Sequence, residues 1–353
     1  MPPEPEAGLL RSAIASGLAA LLDRSGGSLH YQPSGGAETD RAAGAAWLSQ
    51  LIPGTSPDQI VIAAGAQNAL HAIAATLLTS GGRVGAGCFT YPGFLAVARR
   101  MGAEVVPLAM DEEGILPDAF DDAAAAGLQA LYLVPTNDNP TTATMGKARR
   151  EAIAAIALRH QVPIIEDDAY GRLPERRPSP VAAWAPELTW HIAGLSKIVS
   201  PSLRVAFVRA PSVRDALGLA ADTHETAVMP PPLNAALVAG WLTDGTLPRL
   251  VAAVRAEARA RMKEAQAILP AARGDPDGYH LWLPLGPGLS APAVAAQAVA
   301  AGLPAVPGQA FASGDASSEA LRISLGGSRS RTAIARELRR LDALLSQPRQ
   351  SYV

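Results

Sequence analysis

The chain has 353 residues, 48% of them hydrophobic and 18% charged, with a formal net charge of −2, enough for two sizeable cores and ordinary for a globular protein. No basic run with interleaved aromatics is present, which argues against nucleic-acid binding, and no apolar stretch is long enough to span a membrane. The acidic, proline-rich start Met1 to Glu6 lacks the basic and apolar regions of a secretory signal, and the single cysteine, Cys88, cannot form an internal disulfide; both favour a reducing, cytoplasmic setting.

From Gln59 to Ala210 short apolar or β-branched runs alternate with helical patterns, which predicts a mostly parallel sheet covered by helices on both faces. Its strands are expected at 60–63, 83–87, 104–108, 130–135, 162–167, 189–193 and 205–209. After the first of them, Leu70, Ile73, Ala74, Leu77 and Leu78 repeat at helical spacing and form one stripe against the sheet. Beyond Pro230-Pro231-Pro232 come two long helical stretches, 233–243 and 247–269, then a strand at 279–285, a helix at 291–301, a strand at 321–325 and a terminal helix near 331–345. A large α/β domain over 46–245 and a linking helix with a small α+β domain over 246–353 follow from this pattern. The tail 347–353 is expected to fray.

Three lysines occur, Lys147, Lys197 and Lys263. Lys147 opens a charged helical stretch with Arg149, Arg150 and Glu151, and Lys263 sits in the arginine-rich run Arg255 to Glu264, so both stretches read as solvated faces. Lys197 differs. It follows an apolar strand, has Ser196 beside it and Arg204 seven residues on, an arrangement suited to an amine that holds a phosphorylated aldehyde as a Schiff base.

In open α/β sheets ligands bind beyond the carboxyl ends of the strands, and other chemistry-bearing residues fall there. Gly65-Ala66-Gln67 follows the first strand and opens a helix, which is either a structural turn or a cradle of free N–H groups for a phosphate. Asn139, in the loop Thr136 to Thr142, is either a turn former or a ligand group. Glu166-Asp167-Asp168 ends another strand; without a histidine or second acidic cluster beside it, a carboxylate aimed at a ring nitrogen fits better than a divalent metal, and no metal site is expected.

Together with Leu29-His30-Tyr31, Gly65 to Leu70, Thr90-Tyr91-Pro92-Gly93, Asn139-Pro140, Asp167 to Tyr170, Ser196-Lys197 with Arg204 and Leu321 to Ser324, in that order and with matching gaps, the chain resembles the fold-type I pyridoxal-5′-phosphate aminotransferases of class I/II. Within these it is similar to 2-aminoadipate aminotransferase-like enzymes and to the aminotransferase-like domain of MocR-type regulators. The resemblance implies the fold-type I architecture: a large domain with a mostly parallel seven-stranded sheet between helices, plus a smaller α+β domain. It also implies a homodimer with shared active sites, in which residues 1–45 form an arm serving the small domain and the dimer interface.

Carried to this sequence, the resemblance implies that Lys197 forms an aldimine with pyridoxal 5′-phosphate and later moves the substrate's Cα proton. Such a lysine must be neutral when it acts, although an ordinary lysine titrates near about 10.4. Asp167 would pair with the pyridine nitrogen, being three residues before Tyr170 where Asp168 is two. Asn139 and Tyr170 would bond the phenolic oxygen, and Tyr91 would stack on the ring. The phosphate would rest on the turn at Gly65, the Ala66 and Gln67 amides, Ser196 and Arg204. Tyr31 would reach the neighbouring subunit's phosphate, and Arg322 would grip the substrate α-carboxylate, with Asn139 and Tyr31 also near the substrate.

Two positions depart from the family pattern. Gly194 stands where a serine or threonine phosphate ligand is usual, so that one phosphate contact is either missing or supplied by Ser200 or water, and Thr142 stands for a glycine after Asn-Pro-Thr. His30, His71, His160, His191, His224 and His280 are dispersed without ligand spacing and read as structural. Cys88 reads as a small core residue, and Arg172, Arg176 and Arg177 as a solvated loop rather than a substrate entrance. The expected activity is transfer of an amino group between an α-amino acid and a 2-oxo acid. The alternatives are an amino-acid-sensing domain of a MocR-type regulator, free of its DNA-binding part, and another reaction on the same cofactor, such as elimination, racemisation or oxidation.

Overall fold

Seven of the apolar runs pair into one sheet, and the direction of a single strand in it gathers the chemistry at one edge. A computed structural model describes residues 1–4, 8–23, 30–315 and 319–346; Leu29 and the tail 347–353 lie outside them. The first half of the chain runs through α1 (Leu9–Leu22), α2 (Glu38–Ser49), β1 (Ile60–Ala63), α3 (Ala66–Leu77), β2 (Arg83–Gly87), α4 (Pro92–Met101), β3 (Glu104–Leu108), β4 (Met110–Asp111), β5 (Gly114–Ile115), α5 (Pro117–Ala125), β6 (Ala130–Leu133) and α6 (Lys147–His160). There follow β7 (Ile164–Asp167), β8 (Thr189–Gly194), β9 (Ala206–Arg209), α7 (Val213–Ala227), α8 (Pro232–Thr243), α9 (Thr246–Ile268), β10 (His280–Pro284), α10 (Ala291–Ala300), β11 (Ala305–Pro307), β12 (Ala320–Ser324) and α11 (Arg331–Leu345).

The large sheet has the order β1-β9-β8-β7-β6-β2-β3. All neighbours are parallel except β9, which runs antiparallel to both β1 and β8. The strands β1, β6, β7, β8 and β9 are buried at every position, as expected for a sheet with both faces covered. Register then does the gathering. Ala206 pairs with Ala63 on one side and Gly194 on the other, so the residue entering β9, Arg204, meets the carboxyl ends of β1 and β8. Asp167 pairs with Ile192 in the same region.

A three-stranded antiparallel sheet, β10-β12-β11, forms separately and packs with α10. The long helix α9 contacts α8 and α11, while α1 lies on α8 and α2 packs on β1, β9 and α8. Residues 1–4 run beside the small sheet, where Pro3 bridges Gly327. Very short strands β4, β5 and β11 escaped the sequence pattern, as did the helices α1, α2 and α7.

Two charged stretches expected to be solvated each hold one buried arginine. Arg150 is fully buried: its guanidinium and Nε donate to the carbonyls of Met145 (2.8 Å), Ser179 (3.3 Å) and Pro135 (2.7 Å) and to Thr136 Oγ1 (2.9 Å). Arg261, 4% exposed, donates to Glu257 and to the carbonyls of Leu325, Gly327 and Arg329. Loop carbonyls left without ladder partners need donors, and an arginine supplies up to five from one side chain. Lys147 and Lys263 themselves are exposed. Arg172 is buried too, with its guanidinium 4.5 Å from the Trp47 ring centroid and donating to the Trp47 carbonyl; it belongs to no solvated loop.

Candidate active site

A cleft of about 760 Å³ opens at the gathered strand ends, lined by Ala66, Gln67, Tyr91, Asn139, Asp167, Tyr170, Ser196, Lys197 and Arg204, with Val134, Ala169, Gly194 and Pro201 between them. Each comes from the segment following or ending a strand. Arg322 and Tyr31 are not in this lining. Arg322, on β12, is close enough to Lys197 to depress its amine electrostatically; Tyr31 is 84% exposed and stands apart.

At the turn after β1, Gly65 caps α3 with φ +93°. A side chain there would be strained, and its Cβ would lie 2.8 Å from the Arg204 guanidinium. The glycine therefore admits Arg204, whose Nη2 donates to the Ala64 carbonyl at 3.2 Å, beside the free N–H groups of a helix start. Tyr91 donates to Gln67 Oε1 at 3.3 Å, and Gln67 donates in turn to the Gly93 carbonyl. At Gly194, a Cβ would come within 3.3 Å of the Ala66 Cβ, so the space of the usual hydroxyl residue is partly taken by Ala66. Ser200 is not in the cleft lining, and its Oγ accepts from the Ser202 amide and caps a 3-10 turn.

Asn139 is carried by a loop whose closure is local. Asp138 accepts the Thr141 hydroxyl at 2.6 Å and exchanges backbone bonds with Thr142 and Ala143. Thr142 sits at φ +63°, the left-handed region that a glycine fills without strain. Asn139 Oδ1 is buried with no hydrogen-bond partner among the described residues.

The three acids of 166–168 go three ways. Glu166 is fully buried and accepts the Val181 and Ala182 amides at 2.7 and 2.9 Å, with His191 Nδ1 at 3.2 Å. Burial works against its ionisation, yet these bonds hold it below the ordinary carboxylate range. Asp168 faces His191 Nε2 at 3.6 Å. Asp167 alone turns to the cleft. Its Oδ2 accepts the Tyr132 hydroxyl at 3.1 Å, while Oδ1 is buried and has no partner among the described residues. Burial pushes its pKa up to about 6, against the opposing pull of Tyr132 and Lys197. The Lys197 amine is shifted down, by burial first and by Arg322 and Arg204, with Asp167 opposing.

Two residues of the site carried no motif. Tyr132 holds Asp167 and stacks on Phe94 with centroids 3.9 Å apart; a tyrosine inside an otherwise aliphatic strand was the available signal, since a buried hydroxyl needs a partner. His280 is 4% exposed and lies between Tyr170 and Arg322, 3.2 Å from each. It was read as a dispersed structural histidine, and nothing local in the sequence distinguishes it. His191 likewise has both ring nitrogens on carboxylates.

The family model for class I and II aminotransferases matches residues 7–338. A 2-aminoadipate transaminase of Thermus thermophilus is 29% identical over 365 aligned residues, covering 97% of this chain and 88% of that one. YdeF, an uncharacterised HTH-type transcriptional regulator of Bacillus subtilis, is 36% identical over 44% of this chain. The chain spans 34 to 55% of the length of the Bacillus regulators it matches. Among solved structures, LysN, the alpha-aminoadipate aminotransferase of Thermus thermophilus in complex with N-(5′-phosphopyridoxyl)-L-leucine, superposes with a TM-score of 0.87 at 27% identity, covering 97% of this chain and 90% of that one. This chain therefore belongs to the class I and II aminotransferase family, with the fold-type I architecture.

The residues fit pyridoxal 5′-phosphate, the cofactor of that family. An amine shifted toward neutrality suits the aldehyde, the unpartnered Asp167 Oδ1 suits a protonated ring nitrogen, and the helix start with Arg204 suits a phosphate. No helix among the described residues is long and apolar enough to cross a membrane.

Proposed function

We propose that this chain is an aminotransferase that carries pyridoxal 5′-phosphate on Lys197 and moves an amino group between an α-amino acid and a 2-oxo acid. One observation carries the reading: Asp167, whose buried Oδ1 has no partner among the described residues, shares a cleft with a lysine amine shifted down from its ordinary range. A carboxylate in that state calls for a cationic N–H donor, and the amine calls for an electrophile.

When bound, the cofactor supplies an electron sink for the pair left at Cα after its proton departs. Asp167 holds the ring-nitrogen proton through Oδ1, and Tyr132 keeps that carboxylate in place. Tyr91 covers the ring face, while Asn139 and Tyr170 take the phenolic oxygen. The Ala66 and Gln67 amides, Ser196 and Arg204 bind the phosphate, with Gly65 giving Arg204 its room. Arg322, whose Nε is buried without a partner among the described residues, takes the substrate α-carboxylate. Lys197, once displaced, would take the proton from Cα and deliver it to the cofactor's C4′.

Tyr31, so exposed in the single chain, serves the site of a second copy in a homodimer, contacting its phosphate and substrate. A cytoplasmic setting accords with the lone cysteine.

The experiment is to add pyridoxal phosphate and then a panel of amino acids while recording the visible spectrum. Loss of the aldehyde-derived band, restored by a 2-oxo acid, supports transfer; a changed band that persists without turnover sinks it in favour of sensing, the function the matched regulators would suggest. Replacement Lys197→Ala should prevent the covalent band, and an unchanged spectrum in that variant would refute the assignment of the lysine.

A further inference from the structure

His280 opens β10, opposite Ser324 of β12, and its ring is the side-chain link between Arg322 and Tyr170. Nδ1 lies 3.2 Å from Arg322 Nη1, and Nε2 lies 3.2 Å from the Tyr170 hydroxyl. A guanidinium has only donors, so Nδ1 must accept. A neutral imidazole with a bare Nδ1 carries its proton on Nε2, and that proton goes to the Tyr170 oxygen. Tyr170 is then an acceptor from His280 and keeps its own proton to give. Its neighbour Tyr279 donates to the Lys197 carbonyl at 3.0 Å.

A doubly protonated ring is disfavoured by burial and by the neighbouring cations. Burial, then Arg322, Lys197 and the Met1 amino group, push the ring well below the ordinary histidine range, while the Ile323 carbonyl favours protonation. Tyr170 and Tyr279 complete the groups facing it.

We propose that His280 is a positioning residue: held as the Nε2–H tautomer by Arg322, it turns the Tyr170 phenol so that its proton points at the cofactor's phenolic oxygen. One side chain thereby links the group that would bind substrate carboxylate to the group that would set the cofactor's electronic state. What Arg322 and Tyr170 bind rests on the aminotransferase reading above; the tautomer belongs to the chain alone.

Two measurements test this. In the cofactor-free chain labelled with 15N-histidine, with His280 assigned by its absence from a variant, long-range 15N–1H spectra should show a protonated Nε2 and a bare Nδ1 from pH 6 to 8. A proton on Nδ1, or on both nitrogens, overturns the proposal. In the chain loaded with pyridoxal phosphate, H280N keeps an acceptor near Nδ1 but loses the donor to Tyr170, whereas H280Q keeps a donor near Nε2. The pH midpoint of the visible band should rise by about half a unit or more in H280N, as in Tyr170→Phe, because a lost hydrogen bond to the phenolate side removes its stabilisation. H280Q should stay near the parent midpoint and show the larger rise in KM for amino acid. Equal midpoints in H280N and the parent, or equal shifts in H280N and H280Q, overturn the proposal. Absence of amino transfer in the parent would instead remove the aminotransferase reading, leaving the tautomer and the midpoints to judge His280.

Discussion

Tyr132 donates its hydroxyl to Oδ2 of Asp167 at 3.1 Å, from a strand adjacent to the one that carries the aspartate, and leaves Oδ1 of this cleft-lining residue buried without a partner among the described residues. One oxygen is fixed by the fold, and the other is left for chemistry.

This pairing has a pH signature in the cofactor-free chain. Asp167 titrates at about 6 when folded against an ordinary 3.8, so between these values the folded state holds a proton that the unfolded state has lost. Its contribution is therefore complete below the lower value, and stability declines as pH rises through about 6, by up to about 3 kcal/mol. Asp167→Asn should flatten the profile of melting temperature between pH 4 and 7. Tyr132→Phe, which removes a bond favouring the carboxylate, should extend the decline to higher pH. Parallel profiles in all three proteins would show the aspartate is not the group responsible.

Arg322 should act on binding. On the proposed function, Arg322→Ala would remove a charge-assisted, two-point contact with the substrate carboxylate, and steady-state kinetics should show KM for amino acids raised roughly 10- to 100-fold. An amine substrate lacking the carboxylate should lose little. Comparable losses for both substrates would place the effect elsewhere.

Thr142 holds a left-handed conformation at φ +63°, which is costly for a β-branched residue. Thr142→Gly should stabilise the chain by about 1 kcal/mol, read as a shift of the chemical denaturation midpoint at unchanged slope. A lower midpoint would mean that the threonine side chain contributes more than its backbone costs.

Arg150 should behave as a structural core residue despite its charge. It ties the Pro135 and Thr136 end of the Asn139 loop to Met145 and Ser179. Arg150→Ala strands several buried acceptors, at about 1 to 3 kcal/mol each before relaxation, so unfolding should occur at markedly lower denaturant. Arg150→Lys, with fewer donors in a different geometry, should recover only part of the loss. Wild-type stability in the alanine variant would contradict this structural role.

The cleft residues were legible because their signals are local. A strand end followed by a glycine turn, an Asn-Pro loop, an acid before a tyrosine and a lysine after a strand are short strings, and an open α/β sheet brings all such strings to one edge. The spans of the seven strands of the large sheet were legible for the same reason, whereas β4, β5 and β11 are too short for an alternating pattern to register and the helices α1, α2 and α7 went unread. What was misread has remote partners. Arg150 and Arg261 lie in charged helical stretches whose period suggests solvent, but their acceptors come from 135–136 and 179, and from 325–329. His280 meets Tyr170 and Arg322 across 110 and 42 residues of chain, a distance no motif spans.

Residue type and spacing were thus enough to single out Lys197, Asp167 and the turn at Gly65 as candidates that the fold brings to one cleft, because the signal of each is carried by adjacent residues and the backbone they sit on. Folding settled the reversed direction of β9, which delivers Arg204 to the edge where β1 and β8 end. It also set which carboxylate oxygen stays open, which arginines are buried and which nitrogen of His280 can bear the proton. These are questions of hydrogen-bond complement and burial, and both depend on segments far apart in the chain that meet only once it has folded.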